Sequence, residues 1–366
     1  MRAPVTRGAW ALLAAVTPIP AASSNYSHHL RPASQVRLVV VHVTEGSYAG
    51  TVSWFRNRRA RVAANYVVAR DGRIAHMVPN DRIAWHAGNS YVNYHSIGVE
   101  HEGYTGVNGT ITDDEYRASA RIVASLLRRY NLPADRRHLI GHDEVPDPNH
   151  RGEYGGFAHH TDPGPHWDWS RYMGYVRAYR ARREPPARAL DVSIPGQALG
   201  AHVTGVVPLV ADVKGSPARV DFLVDGAVRH TATEAPYSYD WDTSLEQNGR
   251  HVLTAHAVDA AGRSAIAATV VISRAPPPPP PSVTLPELPP LVGVVPIQPE
   301  LSGGPVARVE LWIDGVLTQT ATTEPWTLTW DVTAVTPGQH VLAVRAVGPR
   351  RRATAAIQLV TIEAAG

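Results

Sequence analysis

Residues 36–46 read VRLVVVHVTEG, and the fold follows from how that stretch is built. Between Leu38 and Val43 the side chains are β-branched or aliphatic with no alternation until His42. An unbroken apolar run of that length is a strand covered on both faces, the kind found inside an α/β sheet. Working outward, residues 64–69 and 74–78 flank Arg70-Asp71-Gly72-Arg73 and predict a hairpin turned by Asp-Gly. Residues 96–101 form another short strand. Thr112-Asp113-Asp114-Glu115 is a capping box that opens a helix with Tyr116, Val123, Leu126, Leu127 and Tyr130 on one face, and Asn131-Leu132-Pro133 ends it. Leu139-Ile140 leads into Gly141-His142, and a last helix starts near Trp169. These elements predict a mixed α/β domain over residues 25–188, a central sheet with flanking helices.

The chain has 366 residues, more than one hydrophobic core serves, so two or three domains are expected. Hydrophobic residues at 44% against 18% charged exclude global disorder. No uncharged apolar run reaches the 18 or more residues a membrane helix needs, so no helical membrane span is expected. With no cysteine, disulfides, thiolate metal sites and cysteine nucleophiles are excluded, and any metal must be held by His, Asp or Glu. Residues 1–188 hold 24 arginines against 16 acidic side chains, while residues 189–366 hold 11 basic against 16 acidic. The basic front suits an anionic partner, although the sequence carries no phosphate-cradling loop, no dinucleotide fingerprint and no basic-aromatic patch for nucleic acid. Thirteen of the 18 histidines lie in the first 170 residues, which is where chemistry should be sought.

Residues 1–24, with Arg2 and Arg7 before a short apolar stretch, read as a secretory signal peptide, which would make the protein extracellular. Beyond Leu190 the texture changes to short alternating runs broken by Gly, Pro and Asp-Gly, as in β-sandwich modules. VDFLVDGAVRHTATEAPYSYDWD at 220–242 aligns without gaps on VELWIDGVLTQTATTEPWTLTWD at 309–331, so two copies of one module are expected, at 189–274 and 291–366. Between them the proline-rich segment 275–290 reads as an extended linker. Arg350, Arg351 and Arg352 fall in a turn of the second module, where a solvated turn or a contact with anionic wall polymers are the two readings.

His42, His142 and Asp162 are each unremarkable alone. Together, two histidines and a carboxylate meet the need of a catalytic zinc for three protein ligands and one open position. The order VVVHVTEG (39–46), NYVVARDGRI (65–74), AWHAGN (84–89), SIGVEHEG (96–103), IGHDEVP (140–146) and HTDPGPHWDW (160–169) resembles the zinc-dependent N-acetylmuramoyl-L-alanine amidases of the amidase-2 type, relatives of the peptidoglycan recognition proteins. The back half more loosely resembles bacterial immunoglobulin-like modules.

The resemblance implies a Zn²⁺ held by His42, His142 and Asp162, with Glu100 as catalytic acid/base and His160 stabilising the developing oxyanion. His159, one residue earlier, is expected to be structural or solvent-facing. The relatives that lack the glutamate carry tyrosine at the position of Ala64, so the Ala64 and Glu100 pair places this chain with those that use glutamate. Asn65 stands where relatives have histidine, which implies altered cleft packing. His86, Tyr48, Asn89 and Tyr94 are expected along the substrate groove. The implied activity is hydrolysis, by zinc-activated water, of the amide joining N-acetylmuramic acid to L-alanine of the peptidoglycan stem peptide. The alternative is a non-catalytic peptidoglycan-binding protein.

Overall fold

A computed structural model describes residues 16–185, 188–288 and 291–363. The quoted apolar run becomes β2 (Leu38–Val43), the fifth strand across a six-stranded sheet. With β1 (Val16–Pro18), β3 (Tyr66–Val68), β4 (Ile74–His76), β5 (Ser96–His101) and β6 (Leu139–Gly141), the sheet order is β1-β4-β3-β5-β2-β6. β2 runs parallel to both β5 and β6, and β5 also runs parallel to β3. The Asp-Gly hairpin forms as expected, β3 antiparallel to β4, with Gly72 at φ 82. That conformation is open to glycine and costly for most other residues.

Both faces of the sheet are covered, which explains why β2 shows no alternation. On one face lie α3 (Asp113–Arg129) and α4 (Trp169–Arg180), whose Tyr116, Val123, Leu127, Tyr172 and Val176 are buried against Val39 and Val41. On the other, Phe55 of α1 (Tyr48–Arg56) packs with Ala63, Val67 and Met77. A short helix α2 (Ser90–His95) leads into β5.

The leader read over residues 1–24 overlaps this domain, and the domain's start is corrected accordingly. Residues 1–15 lie outside the described residues, but β1 pairs parallel with β4, Ala21 is buried, and the amides of Ala21 and Ala22 bond the carbonyls of Met77 and Phe55, each at 2.9 Å. Val16–Pro18 is thus an exposed edge strand of the sheet, and Ile19 and Ala21 after it pack into the core.

The repeat in the back half is a repeat in structure. Asp225, at φ 52, accepts from the Val252 amide at 2.8 Å and faces His251 Nδ1 at 2.6 Å. Asp314, at φ 50, does the same with Val341 at 2.8 Å and His340 at 2.6 Å. In each copy the Asp-Gly turn joins two antiparallel strands, Pro217–Val224 with Ala227–Ala232 and Arg308–Ile313 with Val316–Ala321. The linker expected over 275–290 is shorter than its composition implies. Pro281–Thr284 is a strand paired with Glu300–Gly303, with proline at its first position where a missing donor does no harm. Arg350 is tied to the carbonyls of Ala275 and Thr243, at 3.0 and 2.9 Å, while Arg352, bonded to that of Pro278, stays exposed. The first module also touches the amidase-like domain: Arg70 donates to the Ala268 carbonyl at 2.7 Å, and the Ala268 amide to the Gly109 carbonyl at 2.9 Å.

Asp113 joins α3 to α4. It sits in the first turn of α3, accepts from Arg117 Nε at 2.6 Å and the Tyr175 hydroxyl at 2.7 Å, and is bonded by Arg171 as well. Burial alone would raise its pKa, but the bonds from Arg171 and Arg117 bring it down to about 2. A carboxylate with a depressed folded value stabilises the fold above its unfolded pKa, and that contribution fades as pH falls through the folded one. Asp113→Asn should therefore cost about 2–3 kcal/mol at neutral pH. In urea titrations across pH 2–5, the wild type should lose stability below about pH 4 more steeply than the variant.

Candidate metal centre and active site

The pairing of β2 with β5 sets His42 opposite Glu100, and that of β2 with β6 sets Val41 opposite Gly141, one residue before His142. A turn of chain after Ala158 returns His160 and Asp162 to the same edge, where the amide of Asp143 bonds the Asp162 carbonyl at 2.8 Å. The sheet edge thus gathers His42, His142 and Asp162, all buried, with their donor atoms within 4.8 Å of one another. His42 Nδ1 lies 3.2 Å from Asp162 Oδ2 and His142 Nδ1 lies 3.1 Å from Oδ1.

Hydrogen bonding behind His42 fixes which of its nitrogens carries the proton. The Ser96 hydroxyl spends its one hydrogen on the Val92 carbonyl at 2.6 Å, so toward His86 Nε2, at 3.2 Å, it can only accept. His86 then holds its proton on Nε2, and its bare Nδ1 accepts from His42 Nε2 at 2.9 Å. Burial and the nearby His142 bring the His42 pKa down to about 4, and burial holds that of His86 well below its usual value. Both rings are neutral at pH 7. The Nδ1 lone pair of His42 therefore faces a carboxylate, two acceptors 3.2 Å apart that a cation between them would satisfy. Burial alone would raise the Asp162 pKa, but the hydrogen bond from His142 heads the causes that pull it far below the usual carboxylate range, so the negative charge is available to a cation. Two imidazoles and one carboxylate oxygen are donors suited to zinc.

Glu100 stands beside this group. Its Oε2 is buried without a hydrogen-bond partner, and burial followed by the Asp162 charge raises its pKa well above the ordinary value. The His160 ring stacks on that of His142 at 4.3 Å, half exposed, with Nδ1 3.8 Å from Asp162 Oδ1. His159 points elsewhere, toward Asp147 and Glu153.

His42, His86, Glu100, His142, His160 and Asp162 open onto a cleft of about 1000 Å³. Of the expected groove residues, His86 and Asn89 line it, though both are also held by structural bonds: Asn89 caps α2 through the Val92 amide at 3.1 Å and donates to the Pro146 carbonyl at 2.9 Å. Tyr48 and Tyr94 are corrected out of the groove. Ser47 caps α1, which turns Tyr48 toward the core under Arg73, whose guanidinium lies 5.2 Å from the ring. Tyr94 sits edge-on to His95, away from the lining. Their places are taken by Trp54, Trp85 and Phe157, which sequence reasoning missed. Trp85 sits inside the quoted AWHAGN motif, and Trp54 follows a capping serine on a short helix; both signals were present.

Supporting residues complete the site. Asn93 Oδ1 accepts the amides of His86 and Ala87 at 3.1 and 2.8 Å. Asn65 bridges strands, donating to the Val78 carbonyl at 3.1 Å and accepting the Gly98 amide at 3.0 Å. A Cβ on Gly98 would lie 2.6 Å from the His86 ring, so only glycine lets that ring stand behind His42. His101, kept neutral by burial with a pKa of about 3, bonds the His42 carbonyl through Nδ1 at 2.8 Å, and Ser119 at 2.6 Å with its other nitrogen.

Comparison with known proteins finds matches to both parts of the chain. Residues 32–165 match the family model described as N-acetylmuramoyl-L-alanine amidase, and residues 191–255 and 294–344 match that of a bacterial Ig domain. N-acetylmuramoyl-L-alanine amidase A of Achromobacter lyticus is 37% identical over 167 residues, 43% of this chain and 90% of that protein. The 1,6-anhydro-N-acetylmuramyl-L-alanine amidase AmpD of Citrobacter freundii is 37% identical over 122 residues, 32% of this chain and 58% of its own length. Among solved structures, the PlyG catalytic domain aligns at 16% identity with a TM-score of 0.34, covering 45% of this chain and 95% of that one. The chain belongs to the N-acetylmuramoyl-L-alanine amidase family, with bacterial Ig-like modules behind its amidase domain.

The proton arrangement has a measurable consequence. His142→Ala should abolish binding of a divalent transition metal at this edge. His86→Ala, which removes no ligand, should weaken it about 10–100-fold by releasing the His42 tautomer. Competition with a chromogenic chelator measures both; unchanged affinity in His86→Ala would break the chain from Ser96 to His42.

Proposed function

We propose that this protein is a peptidoglycan hydrolase that cuts the amide between the lactyl group of N-acetylmuramic acid and L-alanine of the stem peptide. The observation that carries the reading is the pairing of a metal-shaped donor set with a buried carboxyl, Glu100, whose Oε2 has no hydrogen-bond partner. His42, His142 and Asp162 would hold Zn²⁺ through Nδ1, Nδ1 and a carboxylate oxygen. When bound, the zinc supplies a Lewis acid for the scissile carbonyl and for water.

The protein's own groups do the rest. Glu100, held above its usual range by burial, accepts a proton as water attacks the carbonyl carbon and returns it to the leaving nitrogen, so that L-alanine departs as a free amine. His160 stands at the mouth beside Asp162 and offers an N–H to the oxygen that gains charge. His86 and Ser96 keep the His42 lone pair aimed, and His101 holds the end of β2 through the His42 carbonyl. Trp54, Trp85 and Phe157 give the cleft apolar walls on which sugar or peptide can lie. A polymer of that kind lies outside the cell membrane, which supports a secreted or wall-associated protein.

Replacing Glu100 by Gln keeps its size and removes the ionisable group. Zinc content and the thermal transition should stay near wild type while kcat on a defined muropeptide falls at least about a hundredfold with little change in KM. Normal turnover in Glu100→Gln would remove it as acid/base, and loss of zinc would make it a ligand. A wild-type protein that binds muropeptide without cutting it would favour the non-catalytic alternative.

A further inference from the structure

A second group of metal-ligating side chains lies outside the catalytic set, on the loop that joins His142 to Asp162. Asp147, His150, Glu153 and His159 bring one donor atom each to within 4.8 Å of the others. His150 Nδ1 is 3.2 Å from Asp147 Oδ2, His159 Nε2 is 3.5 Å from the same oxygen, and His159 Nε2 is 3.5 Å from Glu153 Oε2. An ion bound tetrahedrally at about 2.0–2.2 Å holds its ligands about 3.3–3.6 Å apart, so three of the six separations are close to a tetrahedron's edges and the other three lie within 4.8 Å.

The loop is built around this group. Asp147 Oδ1 is occupied by the amides of Asn149 and His150, at 2.6 and 3.1 Å, which leaves Oδ2 turned toward the imidazoles on a side chain with no exposed surface. The Asp147 amide bonds the Glu153 carbonyl at 2.9 Å, and the Gly155 amide bonds the Val145 carbonyl at 2.7 Å, so the backbone already holds the donors together. His159 reaches the group only from a left-handed backbone, φ 53, a conformation that costs energy in a residue with a side chain. The other side of the same loop, through Pro148, Asn149 and Phe157, lines the catalytic cleft.

We propose that Asp147, His150, Glu153 and His159 form a second, structural cation site for zinc or a similar borderline divalent metal, which clips the loop walling the cleft. All four positions are filled by protein, which makes the site closed, whereas the catalytic group supplies three ligands. The donor set, two imidazoles and two carboxylates, selects against Mg²⁺ and Ca²⁺, which take oxygen alone.

The full-length protein, free of any affinity tag and stripped with chelator, is titrated with Zn²⁺ and its bound metal counted. Wild type should take two equivalents, His142→Ala one, Glu153→Gln one, and the double variant none. Trypsin cleavage after Arg151, exposed in the loop, gives an independent reading. Zinc should slow it at least about tenfold in wild type and in His142→Ala, and not in Glu153→Gln or His150→Ala. One equivalent that His142→Ala abolishes and Glu153→Gln preserves would overturn the proposal, as would a cleavage rate indifferent to zinc. One equivalent lost in Glu153→Gln and kept in His142→Ala would leave the clip standing and remove the catalytic metal instead.

Discussion

The parallel register between β2 and β5 is the constraint on which the rest depends. Paired residues on neighbouring strands point to the same face of a sheet, so aligning His42 with Glu100 puts a neutral imidazole and a buried carboxyl of raised pKa side by side. Slipping one strand by a single residue would turn one of them to the other face. That register is held by the apolar side chains of β2, covered on both faces, and by hydrogen bonds from outside it. His101 grips the His42 carbonyl from α3's side through Ser119, and Asn65 grips the Gly98 amide from β3's side. β6, parallel to β2, ends at the same edge and delivers His142.

Burial then supplies the chemistry. Taking His42 and His86 out of water keeps them uncharged, which makes them ligands and hydrogen-bond relays and not cations. The same burial raises Glu100 while the two imidazoles lower Asp162, so two carboxylates a short way apart are pushed in opposite directions, one toward holding protons and one toward holding charge. The separation follows from partners: Asp162 faces two ring nitrogens, and Glu100 Oε2 faces none.

What the sequence made legible was set by local rules. The apolar run of β2, the Asp-Gly turn, the Thr112 cap and the 89-residue repeat each depend on neighbours in the chain, and each formed where expected. The groove was less legible because its walls come from separate segments. Tyr48 was expected along the groove, yet the Ser47 cap starts a helix there and turns its ring to the core. Trp54, two turns later on that helix, reaches the cleft. The edge strand Val16–Pro18 was hidden because three residues carry no periodicity, and its pairing to Ile74–His76 is a tertiary fact. Asp147, His150, Glu153 and His159 were passed over one by one because none stands on a regular element, and only the fold of their loop brings them together.

The most direct test of the account is the chemistry of the cut. Wild-type protein loaded with zinc is incubated with a defined muropeptide, and the products are identified by mass and by their new end groups. The account predicts an intact saccharide bearing a free lactyl carboxylate, together with a peptide whose amino terminus is L-alanine. A new reducing sugar end, or a peptide cut between two of its amino acids, would contradict it.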